Sequence, residues 1–263
     1  QDHLDYHKSL KNYINTKLSM LNQCKIAVLN YDSFQLRKIN KSIYNSKIHY
    51  ISKLQNDDNR FLNMKLNVDI NQIKFLNQYT MRMITAVMML ENMTKSQITQ
   101  AILKLKALKG RRSIFKVKSK GIFIVDYAHT SEAYLNIFKD FDAGKKARVL
   151  FGCGGNRDKS KRKIIGNIVD KYSSHIIITE DNSRNEKFES IYKDILSGIK
   201  CNNKVVIIKS RKKAMKYMFA KSEDNNINFI LGKGNEDYIL EGNKKIKHND
   251  IVYMESIIKK NEY

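Results

Sequence analysis

Apolar positions divide this chain into two stretches of different regularity. In the first, residues 9–23 repeat apolar side chains at helical spacing, with Ser9 placed as an N-cap. Residues 25–30 then read as a short strand, 47–53 and 64–69 as further strands, and 76–91 and 95–108 as helices, the last capped by Thr94. From residue 111 the pattern tightens. Runs rich in β-branched and aromatic residues recur at 122–126, 148–151, 175–179, 205–208 and 228–231. Amphipathic helical stretches separate them at 132–141, 159–172, 187–200 and 211–221. Near-continuous apolar strands alternating with helices specify a mostly parallel sheet covered on both faces. The expected fold class is therefore α/β, with a boundary near 109–112 separating a 1–110 domain from a 111–263 domain. In such sheets ligands bind beyond the carboxyl ends of the strands, so the polar residues that follow each strand are the candidate site.

At 263 residues the chain is long enough for one large or two ordinary cores. A hydrophobic share of 42% and a charged share of 29% are those of a globular protein, and no apolar run approaches a membrane span; the longest lies around 83–90. No signal-peptide pattern opens the chain, and a first residue of Gln rather than Met suggests that residue 1 is not the native start. Cys24, Cys153 and Cys201 lack the spacing of a disulfide framework or a zinc site, which suits a reducing cytoplasm. A net charge of +23 raises nucleic acid as a partner. The lysines are dispersed along the whole chain, however, and abundant Asn and Ile with no Pro or Trp point to codon bias in an AT-rich genome. The charge then predicts weak non-specific adhesion rather than specific nucleic-acid binding.

Four strand ends carry chemistry. Asp126, Tyr127 and His129 lie in Val125-Asp-Tyr-Ala-His-Thr130, where carboxylate, phenol and imidazole can meet a ribose or a base, or serve only as a helix cap and a solvated histidine. Phe151-Gly-Cys-Gly-Gly-Asn-Arg-Asp-Lys-Ser-Lys-Arg162 either brings backbone close to an anion, with Arg157 ready for bidentate carboxylate pairing, or forms a tight turn with surface charge. Glu180-Asp-Asn-Ser-Arg-Asn-Glu186 sets Asp181, Asn182 and Arg184 side by side, a set able to hold a zwitterion or to form a polar loop. Gly232-Lys-Gly-Asn-Glu236 repeats that logic with Glu236 as counter-charge. It is not a phosphate loop, since no Ser or Thr follows the lysine. At the start, Gln1-Asp-His-Leu-Asp-Tyr-His7 has metal-binding residue types without the spacing of a zinc site.

Taken in order, these segments resemble the Mur ligases, most closely the UDP-N-acetylmuramoyl-tripeptide synthetases that add the third amino acid of the peptidoglycan stem peptide. The matching segments are 2–7, Lys17, 110–111, 126–131, 152–162, 181–184 and 232–236. The resemblance implies a partial central ATPase-like domain followed by a Rossmann-like C-terminal ligase domain. It also implies ATP-dependent amide formation: ATP phosphorylates the terminal carboxylate of UDP-muramoyl-alanyl-glutamate, and an incoming amine attacks the acyl phosphate. ATP and Mg²⁺ are the implied cofactors, and the UDP-muramoyl-dipeptide and a diamino acid the implied partners. By the same resemblance His3 is a Mg²⁺ ligand and Lys17 a lysine that becomes carbamylated, gaining hard oxygen ligands for that ion. Arg111, Asp126, Tyr127 and His129 face ATP, while Arg157, Asp181, Asn182, Arg184, Gly232 and Glu236 hold the amino acid. The Asp-Asn-x-Arg form resembles the meso-diaminopimelate-using branch, in which Arg184 pairs the distal carboxylate and Glu236 the distal ammonium.

The departures are specific. The family's phosphate loop and N-terminal UDP-binding domain do not occur in this sequence, so the chain is expected to begin partway through the central domain, the remainder lying in a preceding segment or another chain. Residues 75–80, Phe75-Leu-Asn-Gln-Tyr-Thr80, stand without a clean match where an adenine-contacting Asn is expected. Ser131, Ser183 and Lys109 stand where relatives carry Pro, and Asn235 where they carry His. Loss of the fixed φ at Ser183 predicts a less preorganised amino-acid loop. The alternative reading is a non-catalytic remnant that still binds amino acid or a partner protein.

Overall fold

A computed structural model describes residues 9–52, 78–143 and 147–261. They fall into two compact units that divide between residues 106 and 107. In the first unit, α1 (Leu10–Leu18) begins where the Ser9 hydroxyl accepts from the Asn12 amide at 3.2 Å. A parallel pair follows, β1 (Ile26–Asn30) with β2 (Lys47–Ile51), and a short helical turn, α2 (Phe34–Arg37), separates the two strands. Helices α3 (Gln78–Leu90) and α4 (Lys95–Leu103) complete the unit. Thr94 and Gln97 form a reciprocal capping box, and Met81, Ile98 and Ile102 make a small apolar cluster. The 95–108 helix thus stops five residues early. Leu103 and Leu108 are exposed, and apolar spacing without a surface to cover does not sustain a helix. The strand expected at 64–69 lies outside the described residues.

The second unit is a six-stranded sheet in the order β3-β4-β8-β5-β6-β7. Its strands are β3 (Ser113–Val117), β4 (Gly121–Asp126), β5 (Ala147–Phe151), β6 (Ser173–Ile178), β7 (Val205–Ile207) and β8 (Ile227–Leu231). All neighbours are parallel except β3, which runs antiparallel to β4 at the edge. Side chains alternate between the two faces, as the two-residue repeat requires. Ile124, Val149, Phe151, Ile176, Ile178, Phe229 and Leu231 pack under α5 (Ser131–Asp140), α6 (Ser160–Tyr172) and α7 (Phe188–Leu196). Phe123, Val125, Leu150, Ile177 and Ile230 pack under α8 (Arg211–Ala220) and α9 (Asp250–Asn261). Burial on both faces explains why these strands read as continuous apolar runs.

Three elements escape the apolar pattern. Strand β3 is only half-buried, and α9 follows the last apolar strand with its buried Ile251, Met254 and Ile257 spaced three apart. The hairpin of β9 (Tyr238–Glu241) and β10 (Lys244–Lys247) turns on Gly242 and Asn243. All four residues of β10 are exposed, so backbone pairing rather than burial makes it a strand.

One buried ion pair ties this unit together at the carboxyl end of the sheet. Arg211, first residue of α8, donates from Nε and Nη2 to the two oxygens of Asp250, first residue of α9, at 2.8 and 2.6 Å. Nη2 also reaches the Leu231 carbonyl at 2.9 Å, and His248 Nε2 sits 2.7 Å from Asp250 Oδ1. Burial opposes the Asp250 charge, yet Arg211 beside it holds the carboxyl well below the ordinary carboxylate range. Its contribution to stability is therefore complete above that range and lost as pH falls below it. Arg211→Met alone should cost about 3–5 kcal/mol in urea unfolding, by stranding a buried carboxylate, whereas pairing it with Asp250→Leu should recover most of the loss. Equal destabilisation by the single and double variants would show that the pair does not act as a unit.

Candidate active site

Strand order assembles the site. The four neighbouring strands β4, β8, β5 and β6 end in 126–130, 232–236, 152–158 and 179–186, so motifs separated by a hundred residues of sequence stand side by side. Their loops then pack backbone against backbone. The Gly155 amide donates to the Asn182 carbonyl at 2.8 Å and the Gly232 amide to the Asp126 carbonyl at 3.1 Å. A Cβ on Gly155 would lie 1.8 Å from the Ser183 carbonyl oxygen. Gly234, at φ +54, has Gly110 O and Tyr127 Cβ within 2.8 Å of where its own Cβ would stand. At Gly155 the close approach is to another loop of the protein.

An acid–base cluster lies where these loops meet. Lys233, fully buried, donates to Glu236 Oε2 at 2.7 Å, Asn182 Oδ1 at 3.1 Å and Asp181 Oδ1 at 3.3 Å. Asn182 Nδ2 donates to the same Glu236 oxygen at 2.9 Å, and its Oδ1 accepts from the Leu240 amide at 2.9 Å. Gly232 places its α-carbon against Asp181, whose Oδ2 would be 2.8 Å from a Cβ there. Glu236 is the outward member of this group, with 28% of its side chain exposed. Arg184 sits in the left-handed region, φ +53, and aims Nη1 at the carbonyls of Gly155 (2.9 Å) and Asn182 (3.2 Å). This leaves its Nε–Nη2 edge for an external carboxylate. Arg157 is exposed at the same rim, its Cγ 3.7 Å from the position of a Gly154 Cβ.

Structural braces hold these loops. Arg162 is buried in α6 and pairs both oxygens of Glu186 (2.6 and 2.8 Å), Asp194 (2.9 Å) and the Gly154 carbonyl (3.0 Å). Ser183 donates to the buried Glu180 carboxylate at 2.6 Å. The 180–184 loop, expected to be less preorganised for want of a proline, is tied by hydrogen bonds.

The residues expected to face nucleotide gather on β4 and the turn before β3. Asp126 is occupied by the chain itself: its oxygens accept from the Arg112 amide at 2.8 Å and the Ala128 amide at 2.7 Å. Burial raises its pKa, against the pull of those two bonds. Helix α5 is capped by Thr130, not by Asp126. His129 Nδ1 lies 2.9 Å from the Tyr127 carbonyl and its ring meets Tyr127 edge-on, centroids 4.8 Å apart. The Arg111 guanidinium lies over the Tyr127 ring at 4.5 Å. Burial raises the pKa of the Tyr127 hydroxyl, and the nearby Glu236 carboxylate raises it further. Of the two residues expected to serve a metal, Lys17 is exposed on α1 with Nζ 5.7 Å from the Tyr13 ring, and His3 lies outside the described residues. No group of three or more metal-ligating side chains occurs among the described residues. Nor does a described helix have the length and apolarity to cross a membrane.

Sequence reasoning missed Lys233, Arg162, Glu186 and the Arg211–Asp250 pair. Lys233 had a visible signal, a single cation between two strand-end glycines. The others act across 24 to 39 residues of sequence and leave no local pattern. A cleft of about 520 Å³ between the β9–β10 hairpin and the start of α8 contains none of the expected site residues.

A parallel sheet whose carboxyl edge sets carboxylates, an amide and a guanidinium around glycine loops defines an α/β domain equipped to hold a small charged ligand. The chain belongs to the Mur ligase family: the Mur ligase middle domain matches residues 1–99, and the Mur ligase glutamate ligase domain matches residues 110–234. It is 33% identical over 288 residues to the UDP-N-acetylmuramoyl-L-alanyl-D-glutamate--2,6-diaminopimelate ligase of Wigglesworthia glossinidia brevipalpis, covering 99% of this chain and 58% of that protein. The enzyme of the same name from Buchnera aphidicola subsp. Schizaphis graminum is 34% identical over 95% of this chain and 56% of its own length. A solved structure of a ligase with that name matches at 25% identity and a TM-score of 0.56, over 100% of this chain and 59% of its own. The chain thus spans somewhat over half the length of the relatives it matches.

Two outcomes follow from the braces. Hydrogen bonding from Arg162 holds the Glu186 carboxyl at about 2 against an ordinary 4.5. Its stabilisation is complete above pH 4.5 and fades as pH falls toward 2, so acid unfolding of Glu186→Gln should be flatter across that window than that of the parent. Gly155→Ala should lose about 1–3 kcal/mol of stability in urea unfolding, since the new methyl must displace the Ser183 carbonyl; unchanged stability would show that the two loops yield without cost.

Proposed function

We propose that the protein is an ATP-dependent ligase that joins meso-diaminopimelate to the glutamyl carboxylate of UDP-N-acetylmuramoyl-L-alanyl-D-glutamate in cytoplasmic peptidoglycan synthesis. In this reading residues 1–110 belong to the central ATP-binding domain and residues 111–263 form the amino-acid-binding domain. The observation that carries it is the pairing of Arg184, with one guanidinium edge unspent, and Glu236, with a partly exposed carboxylate, in one loop assembly. A diamino acid with a distal carboxylate and a distal ammonium presents the complementary charges. The names of the relatives support the same substrate.

ATP, when bound with Mg²⁺, supplies the phosphoryl group that activates the acceptor carboxylate. The residues of this chain orient and neutralise. Arg184 and Arg157 pair carboxylate, Glu236 meets ammonium with Asn182 holding it from behind, and Gly232 lets the ligand approach the backbone beside Asp181. Arg111, Tyr127 and His129 offer a cation and two rings to the nucleotide, with Asp126 holding the 110–112 turn in place beneath them. Lys17, carbamylated, and His3 are assigned to Mg²⁺.

The test is product formation by the native full-length protein from UDP-muramoyl-dipeptide, ATP and meso-diaminopimelate, followed by mass spectrometry. Arg184→Ala should raise the KM for diaminopimelate about 10–100-fold, the loss of a charge-assisted pair, while leaving the KM for ATP in place. Failure to form the tripeptide with any diamino acid would overturn the reading in favour of a binding remnant.

A further inference from the structure

Lys233 is the one member of the acid–base cluster to which the proposed function gives no task. Its ammonium has three N–H groups and no acceptor capacity, and the three oxygens of Glu236, Asn182 and Asp181 satisfy it fully. It approaches from the buried side, with no exposed surface of its own, whereas Glu236 is partly exposed. The Asn182 amide is fixed in one orientation, because Oδ1 accepts from both Lys233 and the Leu240 amide while Nδ2 donates to Glu236. Glu236 Oε2 thus receives two donors from behind, and the carboxylate is held with its remaining capacity outward. Two carboxylates gathered around one interior point repel unless a cation lies between them.

We propose that Lys233 is a positioning residue that sets the charge preference of the amino-acid site. It cancels one of the two negative charges of Asp181 and Glu236 and fixes the other in the outward Glu236 carboxylate, so that the site is matched to a ligand with a single distal ammonium. This rests on the amino-acid ligase reading above. A ligand that lacks the distal ammonium leaves the Glu236 carboxylate without a counter-charge. Without Lys233, Asp181 and Glu236 repel, Glu236 turns toward solvent, and the distinction between the two ligands collapses.

The test uses the native full-length protein and compares kcat/KM for meso-diaminopimelate with that for 2-aminopimelate, which has the same chain and carboxylates but no distal amine. Lys233→Met should lower that ratio about tenfold or more, with the KM for ATP unchanged. The milder Lys233→Gln, which keeps a donor without the charge, should lower it less. Combined with Glu236→Gln, Lys233→Met should add nothing to the loss of the ratio seen in Glu236→Gln alone. A purely structural role would reduce both substrates equally. A second readout needs no ligand: hydrogen exchange at the Leu240 amide should accelerate in Lys233→Met while the amides of β5 and β8 keep their protection. An unchanged ratio, an additive double variant or an unchanged Leu240 amide overturns the proposal. Failure of the unmodified protein to ligate either amino acid overturns the ligase reading instead, and hydrogen exchange then decides the role of Lys233.

Discussion

The buried pair of Arg211 and Asp250 is the constraint on which the rest of the C-terminal unit depends. Both side chains are entirely out of water, and taking two such charges inside is costly unless every donor and acceptor finds a partner. Here the partners are also anchors. Arg211 reaches the carbonyls of Leu231 and, at 3.5 Å, Glu180, the last residues before the Gly232 and Asp181 loops. Asp250 takes His248 as a further partner and starts α9. Two strand ends and two helix starts are thereby fixed around one point just beneath the cluster of Lys233, Asp181, Asn182 and Glu236. The apolar core sets the sheet and its layers, while this pair sets where the loops leave it.

Above that anchor, rigidity comes from backbone contact and hydrogen bonds rather than from fixed dihedrals. The chain has no proline. At the position where the family resemblance implies one, Ser183 uses its hydroxyl on Glu180, and the loop is further clasped by the Arg184 amide on Leu240 O and the Gly242 amide on Arg184 O. Asn235, in place of a histidine, accepts from Asn249 Nδ2 through its side-chain oxygen at 3.3 Å. A hydrogen bond lowers the energy of one conformation of the folded loop, whereas a proline restricts the unfolded chain as well.

The parallel sheet and the places where ligand-facing residues leave it were legible because both are local. Apolar runs mark β4, β5, β6, β7 and β8, and polar residues follow at their ends. Asp181, Asn182, Arg184, Gly232 and Glu236 are brought together by strand order, which the alternation of strands and helices constrains but does not state. What stayed hidden was set by distance or by exposure. Arg162 with Glu186 and Arg211 with Asp250 are long-range pairs, and β10 is a strand of exposed lysines that only its partner defines. At the glycines of 152–155 the sequence marks a place and leaves the partner open. Sequence shows that backbones approach closely, and only the structure shows that the partner of Gly155 is the Ser183 carbonyl.

The two sides of the candidate site are one physical object. Tyr127, from the motif expected at the nucleotide, lies near enough to Glu236, from the motif expected at the amino acid, for that carboxylate to raise its pKa, and Arg111 lies on its ring. Glu236 is in turn held by Lys233 and Asn182. A carboxylate held by two donors has little freedom to follow a ligand, so the ligand must fit it where it stands. The packing of Gly234 against Tyr127 and Gly110 removes slack between the two motifs. Backbone contact on one side and a saturated ammonium on the other fix the place of the outward carboxylate of Glu236.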